Sequence, residues 1–204
     1  MRRPGVLTAL LLAGLAGVAE AQDRPTLRVD LRLSPIPDIA VSVRDLLGGK
    51  VLSALESGFP LSVRFRAELR EERGLFDRTV SDTSWGLVVL YDPVRERYVV
   101  QGSIEGRDDV FSQPALIERL ATIYIVGLPP DVPGRFYYKV TAEVRTLSDE
   151  DVDEAFAWLG GEAPDSVQYH RPDFLTRTTR RLLVRVAPLP QFNLTAQTQA
   201  FPAR

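Results

Sequence analysis

The residues that could do chemistry lie in a few short stretches. The densest acidic run is SDEDVDE, residues 148–154. Carboxylates this close could hold a divalent cation, but a calcium loop needs a glycine and a distal bidentate glutamate at set spacing, and neither is here. The run fits a helix start better. Ser148 caps, Asp151 closes the capping box, and the acids sit where the helix dipole favours them. His170 is the only histidine. A zinc site would then need carboxylates alone beside it, an uncommon set. A serine triad lacks its Gly-x-Ser-x-Gly elbow. There is no cysteine, so no thiol nucleophile. Gly48-Gly49-Lys50 lacks the rest of a phosphate loop, and Asn193-Leu194-Thr195 is a weak glycosylation motif. These residues assign no catalytic group, no metal and no cofactor. The chain reads as a non-enzyme.

Two other constellations are candidates for binding. The first is WGLVVLYDPVRERYVV, residues 85–100, where two apolar runs flank a charged knot. Asp92 and Pro93 suit the opening positions of a type I turn, with Tyr91 and Tyr98 beside it. The knot is expected to be the turn of a hairpin. The second constellation is basic. If the three alternating strands below share one sheet, their outward residues share one face. Arg28, Arg32, Arg64, Arg66, Arg70, Lys139 and Arg145 then outnumber Asp30, Glu68 and Glu143. Cross-strand ion pairs are the plain explanation, each worth a few tenths of a kcal/mol. Docking of an envelope protein or of anionic lipid headgroups is the functional one.

The elements that must position these groups follow from hydrophobic period. Residues 26–33 alternate, with Leu27, Val29, Leu31 and Leu33 on one side. A Pro-rich break and a short strand at 39–43 follow. Asp45 can cap a helix with Leu47, Val51 and Leu55 at helical spacing, ended by Gly58. Residues 61–70 form a long alternating strand. Residues 85–91 are apolar on both parities, which predicts a strand covered on both faces. Residues 97–101 return from the knot. A second helix starts near Ser112 and Pro114, with Ala115, Leu116, Leu120 and Ile123 as its buried stripe. Residues 135–146 alternate again. A third helix spans 148–159. A basic fourth, 174–186, either packs on the domain or lies on a membrane surface. The expected fold is α+β: a mainly antiparallel twisted sheet with three to four helices covering one face.

The ends and the composition set the compartment. Arg2 and Arg3 precede an uncharged apolar run, 6–18, and Ala19-Glu20-Ala21 fits a cleavage site before Gln22. The run falls short of the roughly 20 residues that span a bilayer. Residues 1–21 are therefore expected to be a signal peptide, and the mature chain to have no integral span. The periplasm is the expected destination, secretion the alternative. Residues 22–190 would form one exported domain and 191–204 a flexible tail. The chain has 25 basic and 27 acidic residues, a net charge of −2. That balance argues against nucleic-acid binding.

ALESGFPLSVRFRAELREERGLFDRTV, the tryptophan-led strand and LYDPVRERYVV together resemble the bacterial secreted family called domain of unknown function 4390. The resemblance covers residues 51–98, and more loosely the helix at Ala115 and the strand at 137–145. It rests on a Gly-x-Pro-Leu strand entry, the Phe76-Asp77 step and the Tyr91-Asp92…Tyr98 hairpin. The region after Leu147 departs from the pattern. The resemblance implies an exported protein linked to envelope sensing, and it carries no catalytic residues. The expected function is an accessory or adaptor that docks a partner through the arginine-rich face. The alternative is a carrier holding a lipid or small apolar ligand between sheet and helices.

Overall fold

The structure is a computed structural model, and the residues it describes are 24–33, 35–147, 151, 155, 157–159 and 189–203. The expected signal peptide with its Ala21–Gln22 junction, His170, most of the acidic run and the basic segment 174–186 lie outside them. The elements are β1 (Thr26–Arg32), β2 (Asp38–Arg44), α1 (Gly49–Glu56), β3 (Leu61–Glu71), β4 (Arg78–Asp92), β5 (Arg97–Gly102), β6 (Gly106–Val110), α2 (Gln113–Leu120), β7 (Tyr124–Gly127), β8 (Gly134–Thr146), β9 (Gln191–Gln197) and β10 (Phe201–Ala203).

These strands form two antiparallel sheets. The larger runs β10-β8-β3-β4-β5-β6, with β9 also on β8; the smaller runs β1-β2-β7. Period-two alternation builds the larger one. Leu61, Val63, Phe65, Ala67 and Leu69 of β3 face inward beside Val144, Ala142, Val140 and Tyr138 of β8. On β4 the two parities part company. Trp85, Leu87 and Val89 join the main core, while Val88 and Leu90 face outward under Leu147, Ala155 and Leu159. β4 is thus covered on both faces at this end, as its apolar run predicts. Phe65 and Trp85 stack at 5.1 Å, and Tyr124 of β7 tilts against both at 5.5 and 5.8 Å. That trio joins the layers.

The α+β expectation fails. Strands hold 55% of the described residues and helical residues 13%, all but three of these in two eight-residue helices; the other three, 155, 157 and 158, lie within the expected third helix. The layer over the inner face is mainly a second sheet, so the fold is a β-sandwich. β1 and β2 pair with each other along their whole length and use their apolar sides, Ile39, Val41 and Val43 among them, to cover the larger sheet. The helices are short plugs. α1 starts after Gly48 rather than at Asp45, which sits in a turn at φ 56°. It buries Val51 and Leu55. On α2 the Ser112 hydroxyl caps by accepting from the Ala115 N–H at 3.3 Å, and Leu116 and Leu120 are buried. Ala115 and Ile123 of the expected stripe are exposed.

Two further expectations are overturned. Arg28 and Arg32 lie on β1 in the smaller sheet, so the seven basic residues do not share a face. The expected tail is ordered: β9 and β10 both zip onto β8. Between them the Thr198 hydroxyl accepts from the Tyr138 N–H at 3.0 Å, and Phe201 is buried against Tyr138 at 5.5 Å. The domain therefore does not stop at residue 190. Finally, Arg107-Asp108-Asp109 belongs to β6, a strand at the sheet edge. Charged side chains there discourage edge-to-edge pairing.

The connections sort to two ends. At one, the Tyr138 hydroxyl donates between the carbonyls of Pro37 and Leu128, at 3.1 and 3.0 Å. Burial, then the nearby Asp38, pushes this phenol up to about 12. The β1–β2 turn and the β7–β8 loop are tied together here, next to the β3–β4 hairpin tip, where the Glu72 N–H donates to the Arg135 carbonyl at 2.8 Å. The turn after Asp92 lies at the other end.

Candidate functional site

The charged knot is a turn whose acid holds it closed. Asp92 is 4% exposed. Its Oδ1 accepts from the N–H groups of Val94 and Arg95 at 3.1 and 3.3 Å. Arg95 and Arg97 sit 3.5 and 3.7 Å from its other oxygen. Burial alone would raise the Asp92 carboxyl; the two N–H donors and the two guanidinium groups outweigh it and hold it below the usual range. Glu96 takes the left-handed conformation at φ 49° that lets β5 return. Tyr91 and Tyr98 pair directly across the strands with rings 5.1 Å apart. The Tyr98 hydroxyl donates to Glu56 of α1 at 3.4 Å, and burial, then that carboxylate, raises its pKa. Asp92, Arg97 and Tyr98 all have structural partners here. Pro93 occupies the turn after Asp92, and the hairpin is scaffold.

The outer face of the larger sheet gathers Arg64, Arg66 and Arg70 of β3 with Lys139 and Arg145 of β8. The register sets Arg64 opposite Glu143, Glu68 opposite Lys139 and Ser62 opposite Arg145. Much of the charge is answered. Arg66 lies 3.4 Å from Glu68 and 3.2 Å from Asp82, and Arg145 lies 3.5 Å from Glu143. Arg70 donates to the Asp77 carbonyl at 3.2 Å. β4 adds a further acid to this face, Asp82, four residues before Gly86 and opposite Glu68.

At the centre of this face is a depression of about 360 Å³. Arg64, Arg66, Ser84, Thr141, Glu143, Asn193 and Thr195 line it, and Trp158 forms a wall. The Arg64 guanidinium sits 5.0 Å from the Trp158 ring, a cation–π contact. Glycine at 86 makes room for that indole. A Cβ there would lie 2.4 Å from the Val63 carbonyl oxygen and 2.7 Å from Trp158 Cζ3. The walls come from four strands. Register places Thr195 opposite Thr141, Thr141 opposite Arg66, and Arg66 opposite Ser84. The result is one transverse row of hydrogen-bonding side chains with a cation in it.

The β9 residues at the depression were legible in principle, because QFNLTAQ alternates polar and apolar residues; the polar tail composition hid them. Trp158 gave no signal, since it falls off the stripe of its segment. A second, more open depression of about 590 Å³ lies beside α2. Its Arg119 pairs with Asp108 at 2.7 Å and with Glu105. Among the described residues no group of three or more His, Asp or Glu side chains could hold a metal ion, and no helix is long and apolar enough to cross a membrane. Comparison with family models, with curated proteins and with solved structures finds no match.

Proposed function

We propose that this protein is an exported, non-enzymatic accessory of the cell envelope that docks a partner on the outer face of its larger sheet. The observation that carries the proposal is the transverse row at the 360 Å³ depression. Arg66, 56% exposed on its side chain, supplies charge; Ser84, Thr141 and Thr195 supply donors and acceptors, with Asn193 in the next row; Trp158 supplies an apolar wall. Such a row suits an extended acidic segment lying across the strands. The guanidinium can exchange its exposed pairing with Glu68 and Asp82 for a partner carboxylate at small cost, because exposed pairs are worth little. Export rests on the signal-like pattern at 1–21, and envelope sensing on the family resemblance of residues 51–98. The carrier alternative has less behind it. The space between the layers is filled by side chains such as Leu61, Val63, Leu116 and Tyr138, all buried.

The test places a photo-crosslinking residue at Thr195 in the native envelope, with adducts identified by mass spectrometry. One dominant protein adduct, weakened by Arg66→Glu and by rising salt, is the expected result. Scattered adducts that ignore Arg66→Glu would make the face ordinary solvated surface.

A further inference from the structure

The hairpin between β3 and β4 ends in Glu72-Arg73-Gly74-Leu75-Phe76-Asp77. Leu75 is 90% exposed and Phe76 86%. Such exposure is common on loose loops, but this loop is braced. The Asp77 carboxylate accepts from the Tyr137 hydroxyl at 2.7 Å and from the Arg73 N–H at 3.2 Å. Those two bonds, with Arg70 beside them, hold the Asp77 carboxyl below its usual range. Arg73 pairs with Glu71 at 2.7 Å, and Arg135 with Glu72 at 2.9 Å. The polar atoms are satisfied inward, and the two apolar side chains are held outward.

The same end of the sandwich carries more of the same kind. Leu33 and Ile36 on the β1–β2 turn and Val132 on the β7–β8 loop are all more than half exposed. Tyr138 ties those two connections together. Three separate connections thus present large apolar side chains at one end. Charge there is balanced: Arg32, Arg70, Arg73, Arg78 and Arg135 are matched by Asp38, Glu71, Glu72, Asp77 and Asp131.

We infer that this end inserts its apolar tips into the interfacial layer of a zwitterionic lipid bilayer. The occupant follows from shape and charge. Protruding tips on several loops suit a soft planar surface, which needs no preformed cleft. A net-neutral ring offers nothing to an acidic or basic protein partner, but its arginine stems can snorkel among headgroups while the tips bury. The attraction is apolar burial, so added salt should leave it intact.

Because the chain has no cysteine, single cysteines report locally. The full chain is labelled with an environment-sensitive fluorophore at Leu75→Cys, Ile36→Cys or, at the opposite end, Val94→Cys, and mixed with phosphatidylcholine vesicles. Expected are a blue shift and quenching by spin-labelled lipid at positions 75 and 36, none at 94, and no change between about 0.1 and about 0.5 M salt. With the label at Ile36→Cys, Phe76→Ser should weaken vesicle binding at least about tenfold. Equal shifts at 94 would mean general adsorption, including adsorption through the 6–18 run, and would overturn the inference. So would silence at 75, or binding only to phosphatidylglycerol vesicles that salt abolishes.

Discussion

Asp92 shows how one side chain can look functional and be structural. A buried carboxylate beside two arginines often marks a reactive site. Here both of its oxygens are spent on the turn: two N–H groups on one, two guanidinium groups near the other. Its lowered pKa sets a sign for stability. A carboxyl with a folded pKa below its unfolded value stabilises above the unfolded pKa. That stabilisation is lost as pH falls through the folded one. Asp92→Ala should cost about 1–3 kcal/mol at neutral pH, read from urea unfolding. Asp92→Asn keeps an acceptor for the turn but no charge, and its stability should fall less steeply than wild type between about pH 5 and pH 2. An unchanged acid slope would assign the charge no share in the turn.

Elements decide which of these residues meet. β8 is flanked by β3 along one side and by β9 and β10 along the other. Removing residues 191–204 would strip that second side, uncover Phe136 and Tyr138, and leave a 13-residue strand with an open edge. Long exposed edges pair with other chains. The truncated protein is expected to aggregate or to lose its cooperative thermal transition, which light scattering and circular dichroism would show. A truncated chain that stays monomeric and melts like the whole would return 191–204 to the status of a loose tail. The same strands explain the face: Arg64, Arg66, Arg70, Lys139 and Arg145 stay together because β3 and β8 pair in register. Arg28 and Arg32 leave because β1 pairs only with β2 among the strands.

Across the whole molecule, the proposed docking row lies on the broad face of the larger sheet, and the apolar tips lie at one end. Arg66 and Leu75 are nine residues apart in sequence but belong to different surfaces. The two should be separable: Arg66→Glu should weaken the Thr195 crosslink and leave the vesicle response at position 75 unchanged. Loss of both together would point to one shared surface or to global unfolding, which a thermal melt distinguishes.

Strand periodicity was legible without coordinates. Leu61 to Leu69 and Phe136 to Val144 alternate so regularly that one face of each strand must be buried, and the structure buries it. The apolar run at 85–91 likewise required cover on both faces. Turn chemistry at Asp92 and the cap at Ser112 are local, and local bonds are written in adjacent residues. What covers a sheet is not local. β7 is four residues long and β6 reads GRDDV, so neither carries enough pattern to be seen as a strand. The polar tail becomes two strands because β8 offers it an edge. Which cations share a face, where Trp158 lies, and that three distant turns gather their apolar tips at one end are consequences of pairing across long separations. Those pairings are selected by total burial in the assembled sandwich, which no single segment encodes.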